Sequence, residues 1–189
     1  EEELADFLGK EACQISSAGY LSCMSAVASF ATRGDMIFVD KNSHSSLWSG
    51  IQASGASYEK FSHNNADGLR HLLSTEKPEK TKIIVIEGVY SMEGHIAKLP
   101  EIVALAEEFD AFLLMDDAHG FGVLGQNGRG TVEHFEMENG VDAICGSFSK
   151  SLGGTGGFVA ATRDAIEYLR SHSKQTIFGS ISQTYNLEL

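Results

Sequence analysis

Lys150 lies in the stretch Gly146-Ser147-Phe148-Ser149-Lys150-Ser151, followed by Leu152-Gly153-Gly154-Thr155-Gly156-Gly157. An apolar, strand-like run, Val141–Cys145, leads into it. A surface lysine has no need of these surroundings. A lysine that forms a Schiff base with a phosphorylated cofactor does: it needs small residues for close approach, hydroxyl donors for a phosphate and a fixed amine. The competitor is a nucleotide-binding loop, which requires Gly directly before the Lys and another Gly five residues before that. Those positions hold Ser149 and Ile144, so the nucleotide reading fails at both.

A second group is Asp116-Asp117-Ala118-His119-Gly120, placed directly after Phe112-Leu113-Leu114-Met115. A carboxylate at such a strand end can keep a pyridine nitrogen protonated, which turns the ring into an electron sink. An imidazole three residues later can reach a ring hydroxyl. Taken alone, the motif is equally open to a solvated turn or an Asp/His metal site. Its pairing with Lys150 at the next strand end strengthens the cofactor reading. Asp40-Lys41-Asn42-Ser43-His44-Ser45-Ser46 carries a histidine that could stack on a planar ring. The residues alone favour a helix N-cap region there. Ser16-Ser17-Ala18-Gly19-Tyr20 opens a small-residue helix, either as an ordinary Ser cap or as backbone N–H donors for a phosphate. Ser91 or Glu87, in Glu87-Gly88-Val89-Tyr90-Ser91-Met92-Glu93-Gly94, could line the same pocket. His63-Asn64-Asn65 follows a further strand. Gly125-Gln126-Asn127-Gly128-Arg129-Gly130 lacks the spacing of a dinucleotide fingerprint.

The chain has 189 residues, 42% hydrophobic and 21% charged, enough for one domain with a sizeable core. A net charge of −12 argues against broad binding to nucleic acid or anionic membrane, yet leaves room for a small anion held by backbone N–H groups. Cys13, Cys23 and Cys145 are odd in number and lack metal-like spacing, so they read as reduced core thiols in a cytoplasmic protein. No metal is expected. No apolar stretch approaches the roughly 20 residues of a membrane span.

The elements that must position these groups alternate. Met36–Val39, Lys82–Ile86 and Ala111–Met115 read as strands closing on Asp40, Glu87 and Asp116, and Ala143–Cys145 and Phe158–Ala161 as two more. Helices are expected over Gly19–Thr32, Ser45–Ser54, Ala66–Ser74, Leu99–Phe109 and Arg163–His172. Pro100 suits the first turn of its helix, and Leu99, Ile102, Leu105, Ala106 and Phe109 form one apolar face. The fold class is α/β, with a mostly parallel sheet and helices on both faces. Ligands of such sheets gather at the carboxyl ends of the strands. Trp48 and Phe61 read as core residues. Both chain ends look cut, as in a piece of a longer protein.

Asp116-Asp117-Ala118-His119-Gly120, Gly125-x-x-Gly128-Arg129-Gly130 and Ser147-Phe148-Ser149-Lys150-Ser151 together resemble the α-oxoamine synthases. So do Tyr90-Ser91-Met92-Glu93-Gly94, Ser43-His44-Ser45-Ser46 and His63-Asn64. These synthases are pyridoxal 5'-phosphate (PLP) enzymes with an aspartate aminotransferase-like large domain. The resemblance runs from about Leu4 to about Ile181. It implies that residues 1–189 are the PLP-binding large domain, without the N-terminal segment and the C-terminal small domain, which would supply the substrate-carboxylate arginine. It implies Lys150 as the cofactor-bound lysine, Asp116 at the ring nitrogen, and His119 with Ser91 at the ring hydroxyl. His44 becomes the stacked ring, Gly19 and Tyr20 backbone phosphate contacts, and Ser147 a hydroxyl where Thr is usual. Cys23 stands where many members have Asn, Asn65 replaces an Asp, and Ser182-Gln183-Thr184 replaces a Pro-Pro.

The implied reaction is decarboxylative condensation of a small L-amino acid (Ser, Ala or Gly) with an acyl-CoA or acyl thioester, with Lys150 or His44 moving the protons. The type leans toward serine palmitoyltransferase or 8-amino-7-oxononanoate synthase. A homodimer with the active site at the subunit interface is implied as well. The rivals are another PLP enzyme of this fold (aldolase, aminotransferase or desulfurase) and a non-catalytic subunit, and this piece alone is expected to be inactive.

Overall fold

Strands that are apolar along their whole length need cover on both faces, and the sheet of this protein has it. The computed structural model describes residues 1–77 and 79–178. The elements run α1 (Glu2–Leu8), β1 (Ala12–Ser16), α2 (Gly19–Phe30), β2 (Met36–Asp40), α3 (Ser45–Ser54), β3 (Ser57–Phe61), α4 (Ala66–Thr75) and β4 (Lys82–Glu87). They continue with α5 (Leu99–Glu108), β5 (Ala111–Asp116), α6 (Thr131–His134), β6 (Ala143–Ser147), β7 (Gly157–Ala161), α7 (Arg163–His172) and α8 (Lys174–Phe178). Among the described residues the strands form one sheet in the order β1-β7-β6-β5-β4-β2-β3.

Successive side chains of a strand point to opposite faces, and the core divides accordingly. Phe38, Ile84, Ile86, Leu113 and Met115 point to one face, where α1, α4 and α5 bring Leu8, Leu69, Leu73, Leu99 and Ile102. Ile37, Val39, Ile83, Val85 and Leu114 point to the other, where α2, α3 and α7 bring Val27, Leu47, Ile51, Ile166 and Leu169. Each of these large apolar side chains contributes roughly 1.5–3 kcal/mol on full burial. Phe61 is buried as expected, and Trp48 is half-buried and packs against the second face.

The sheet is mostly parallel: β3, β2, β4, β5 and β6 run the same way. β7 runs antiparallel to β6, and β1 antiparallel to β7. The reason lies in the connection. Phe148–Gly156 joins β6 to β7 without a helix, and a chain that turns back without a crossover can only pair antiparallel.

All five expected helices form, within two residues at either end. The one expected over Leu99–Phe109 stops at Glu108 because Phe109 is its C-cap. α2 stops at Phe30, where Ala31 turns extended. Two strands lacked a readable signal. β3 (Ser-Tyr-Glu-Lys-Phe) is an edge strand with four exposed residues, so it needs no apolar run. β1 is the opposite edge and is only partly covered. No helix among the described residues is long and apolar enough to cross a membrane. Ser182-Gln183-Thr184 lies outside the described residues.

Candidate active site

A cleft of about 360 Å³ opens over the carboxyl ends of β4, β5 and β6. Gly19, Tyr20, His44, Asp116, His119, Ser147 and Lys150 all line it, from separate elements. Seven of the eight expected site residues thus meet at one place. The eighth, Ser91, is exposed and its side chain is not among the lining. Its neighbour Glu87 lines the cleft instead.

The floor is made by the ends of β4 and β5. Asp116 is 5% exposed and accepts the backbone N–H of Ala118 at 3.1 Å. Burial raises its carboxyl above the usual range, while the Cys23 thiol, the Ala118 N–H and the positive character of His44 and His119 act against that rise. A cation brought to Asp116 would replace the missing counter-charge and drive it to the carboxylate. Glu87 sits opposite Asp116 in the β4–β5 ladder. Burial first, then Asp116, pushes its carboxyl up to about 8.

One wall carries the bases. His44 caps α3: its Nδ1 accepts the Ser46 backbone N–H at 3.3 Å and pairs with Ser46 Oγ at 2.8 Å. Accepting at Nδ1 places the proton of the neutral ring on Nε2. His44 thus caps α3 and lines the cleft as well. Tyr20 meets its ring edge-on at 6.1 Å, and the Tyr20 hydroxyl is tied to Ser49 Oγ at 2.7 Å. His119 is lowered by burial first and then by the Lys150 ammonium, which favours a neutral imidazole. Lys150 sits in the turn after β6, and no hydrogen bond or ion pair engages its amine among the described residues. Ser151, beside it, donates to the Phe121 carbonyl at 2.8 Å, tying the lysine turn to the loop after β5.

The opposite end suits an anion. α2 begins at Gly19 with no side-chain cap and no acidic residue in its first turn. Ser16 Oγ turns to the Ala18 carbonyl at 2.9 Å and to Ser22 Oγ at 2.6 Å rather than to the helix start. The helix dipole and its first N–H groups are left facing the cleft. A Cβ at Gly19 would lie 2.5 Å from Ser147 Oγ, so only glycine lets the helix start reach that hydroxyl. Ser147 Oγ and Ser149 Oγ are 2.8 Å apart. These donors, with Thr155 on the facing loop, make an uncapped anion cradle.

Several other residues stand behind the lining. Asp40, fully buried at the end of β2, accepts the Asn42 N–H at 2.9 Å, the Asn64 N–H at 2.7 Å and the Tyr90 hydroxyl at 3.0 Å. His63 Nδ1 lies 3.1 Å from Asp40, and its Nε2 is 3.1 Å from His95 Nδ1. His63-Asn64 therefore locks three strand-end loops together, one of them bearing His44, without lining the cleft. In the Gly125–Gly130 loop, Glu133 accepts the N–H groups of Asn127 and Arg129 at 3.0 Å each. Cys13, Cys23 and Cys145 are free and buried. Cys23 also lines the cleft and contacts Asp116, a role that its apolar surroundings in the sequence gave no hint of. Glu87 bears out the sequence reading that it or Ser91 could line the pocket, whereas Thr155 and Cys23 were not singled out for it. Among the described residues no three His, Cys, Asp or Glu side chains are grouped to hold a metal ion, so the Asp/His metal reading finds no further ligand.

The sheet thus carries, at its carboxyl edge, an uncapped helix start facing a lysine, an arrangement suited to a small phosphorylated ligand. The family model described as aminotransferase class I and II matches residues 1–189, and the chain belongs to that family. It is 42% identical to a serine palmitoyltransferase from Sphingobacterium spiritivorum over 180 residues, covering 95% of this chain and 45% of that protein. It is 38% identical to an 8-amino-7-oxononanoate synthase from Geobacter sulfurreducens, covering 95% of this chain and 46% of that one. The solved serine palmitoyltransferase of Sphingomonas wittichii superposes with a TM-score of 0.92 at 37% identity, over 96% of this chain and 46% of its own. A serine palmitoyltransferase from S. paucimobilis with a bound PLP–myriocin aldimine also superposes at 0.92. The expected resemblance to α-oxoamine synthases is borne out by these relatives. The chain spans about half the length of the curated relatives it matches.

Proposed function

We propose that this chain is the cofactor domain of a PLP-dependent α-oxoamine synthase. The proposed reaction joins a small L-amino acid (Ser, Ala or Gly) to an acyl-CoA or other acyl thioester, with loss of carbon dioxide. The observation that carries the reading is the meeting of Lys150, Asp116, His119 and His44 around an uncapped helix start. The names of the relatives support a serine palmitoyltransferase-like or 8-amino-7-oxononanoate synthase-like type. They lend nothing to the aldolase, aminotransferase or desulfurase reading.

The residues fit the cofactor. The first N–H groups of α2, at Gly19 and Tyr20, and the Ser147 hydroxyl would hold its phosphate. Lys150 would hold its aldehyde carbon, Asp116 its ring nitrogen and His119 its ring hydroxyl. His44 would lie against the ring face. When bound, the protonated ring supplies an electron sink for negative charge at the amino acid's α-carbon. Asp116, deep in the floor, sustains that protonation because a buried carboxylate has no other counter-charge. Lys150, otherwise unengaged, exchanges a proton with the α-carbon. His44, with its proton on Nε2, is the second acid–base group. The cleft walls fix orientation, which is much of the rate enhancement when one bond must be cleaved selectively. A second copy of the chain completing the site, and residence in the reducing cytoplasm, belong to the same proposal, and the free thiols support the latter.

The test is the visible absorbance of the full-length protein mixed with PLP, wild type beside Lys150→Ala. The wild type is expected to show a yellow band that L-serine or L-alanine shifts. Lys150→Ala is expected to lose the band and about 10²–10⁴-fold in turnover. A colourless wild type sinks the cofactor assignment. Coenzyme A release that needs both the amino acid and the acyl thioester identifies the synthase; release with the thioester alone argues against it.

A further inference from the structure

Glu87 is the buried acid that the proposed reaction leaves without a role. It closes β4 as the cross-strand partner of Asp116, lines the cleft, and is only 3% exposed. The main-chain N–H groups of His44 and Ser91 meet its carboxyl and favour the ionised form, but burial and Asp116 outweigh them. These N–H groups belong to the turns after β2 and β4, so one carboxyl ties the turn bearing His44 to the end of the neighbouring strand. The ionisable groups that face it are Asp116, Asp40 and the Tyr90 phenol. No Lys, Arg or His side chain forms an ion pair with it among the described residues. His44, His119 and Lys150 line the same cleft without pairing with it, and a carboxyl this deeply buried beside two other acids keeps its proton.

We propose that Glu87 is a positioning residue that works as a neutral carboxylic acid: it holds the main chains of His44 and Ser91 over the cleft and leaves Asp116 as the single carboxylate of the floor. Two roles are thereby separated at adjacent strand ends. The acid that must be charged meets a cation, and the acid that must only hold geometry stays uncharged. A second carboxylate at Glu87 would repel Asp116 across one ladder rung and would tie the ring proton more tightly than Asp116 alone. Burial first, and Asp116 second, push Glu87 in the direction this division requires. The inference rests on the reading of Asp116 as the partner of the cofactor nitrogen.

The test uses the full-length protein loaded with PLP, and compares Glu87→Gln, which keeps an uncharged acceptor, with Glu87→Ala, which removes it. Wild type is expected to show an alkaline change in the cofactor band near pH 8. Glu87→Gln is expected to lose that change while binding PLP within about threefold of wild type and keeping the circular dichroism of the band. Glu87→Ala is expected to bind PLP about tenfold more weakly and to lose much of that dichroism, because the His44 turn is released. An inflection that survives in Glu87→Gln, or a Gln variant as impaired as the Ala variant, overturns the proposal. A wild type with no cofactor band overturns the PLP reading instead. The cofactor-free protein then still decides about Glu87. A carboxylic-acid carbonyl stretch at neutral pH that is missing from Glu87→Gln supports the neutral acid, and its absence from wild type refutes it.

Discussion

Asp116 and Asp117 are adjacent in the chain and serve opposite regions of the molecule. Asp116 faces the cleft with one backbone donor at 3.1 Å and a thiol contact. Asp117 faces inward, 1% exposed, and takes the Thr131 N–H at 2.7 Å and the Thr131 hydroxyl at 2.6 Å. The protein closes tightly on Asp117: a Cβ at Gly88 or Gly120 would strike its carboxylate. Around Asp116 it leaves space. Saturated polar groups in a tight cage hold a structure together, whereas under-satisfied ones at the rim of a cleft await a ligand.

Substitutions at the two aspartates should separate these roles. In the full-length protein, Asp116→Asn should lower turnover by about 10²-fold or more, since the charge that faces the reacting ring is gone. The cofactor-free domain should keep or gain thermal stability, because an uncompensated buried carboxyl has been removed. Asp117→Ala should do the reverse. It leaves two Thr131 donors without an acceptor at about 1–3 kcal/mol each, read as a fall in Tm. Equal effects of the two on stability would break the comparison.

Gly19→Ala tests the cradle. Its Cβ would press on Ser147, so α2 should retreat at a cost of about 1–3 kcal/mol. PLP affinity, measured by titration, should fall while the unliganded fold survives. Unchanged affinity would remove the helix start from the phosphate site.

Stability should depend on pH through the closed region. Burial raises the Asp117 carboxyl from 3.8 to about 7. A raised folded-state value means that the folded domain holds the proton more tightly than the unfolded chain. The stabilisation is therefore full below 3.8 and is lost as pH rises through about 7. Chemical denaturation of the cofactor-free protein should show stability falling between about pH 4 and pH 7, with a flatter profile in Asp117→Asn. A slope as steep in that variant as in wild type would reassign the titration. The smallest effect is expected at the edge of the open region. Ser91→Ala should change PLP affinity by less than about threefold, since the hydroxyl lies outside the cleft lining and the main-chain N–H to Glu87 remains.

The central strands were legible because a strand buried on both faces must be apolar throughout, as Ile83–Ile86 and Leu113–Met115 are. The edge strand Ser57–Phe61 was not, because an exposed edge tolerates Glu59 and Lys60. Lys150, Asp116 and His119 stood out because glycines, hydroxyls and strand ends flank them. His44 did not, because a cap and a cofactor stack require the same residue at the same helix start. Cys23 gave no chemical signal, as its contact with Asp116 arises only when α2 packs across β6 and β7. Ser91 or Glu87 was expected to line the cleft; Glu87 does, whereas the Ser91 side chain is exposed and outside the lining.

The sheet divides the core into two layers, and the cleft draws its helices from only one of them. The helix starts at Gly19 and Ser45 both belong to the layer packed on Ile37, Val39 and Leu114. The layer of α1, α4 and α5 touches the cleft only through the sheet. A lineage carrying this domain can therefore exchange side chains such as Leu73 or Ile102 for others of similar volume while the catalytic edge stays as it is. Val27 and Leu47 instead seat the helices that start at Gly19 and Ser45, so a change of volume there is passed directly to the cleft.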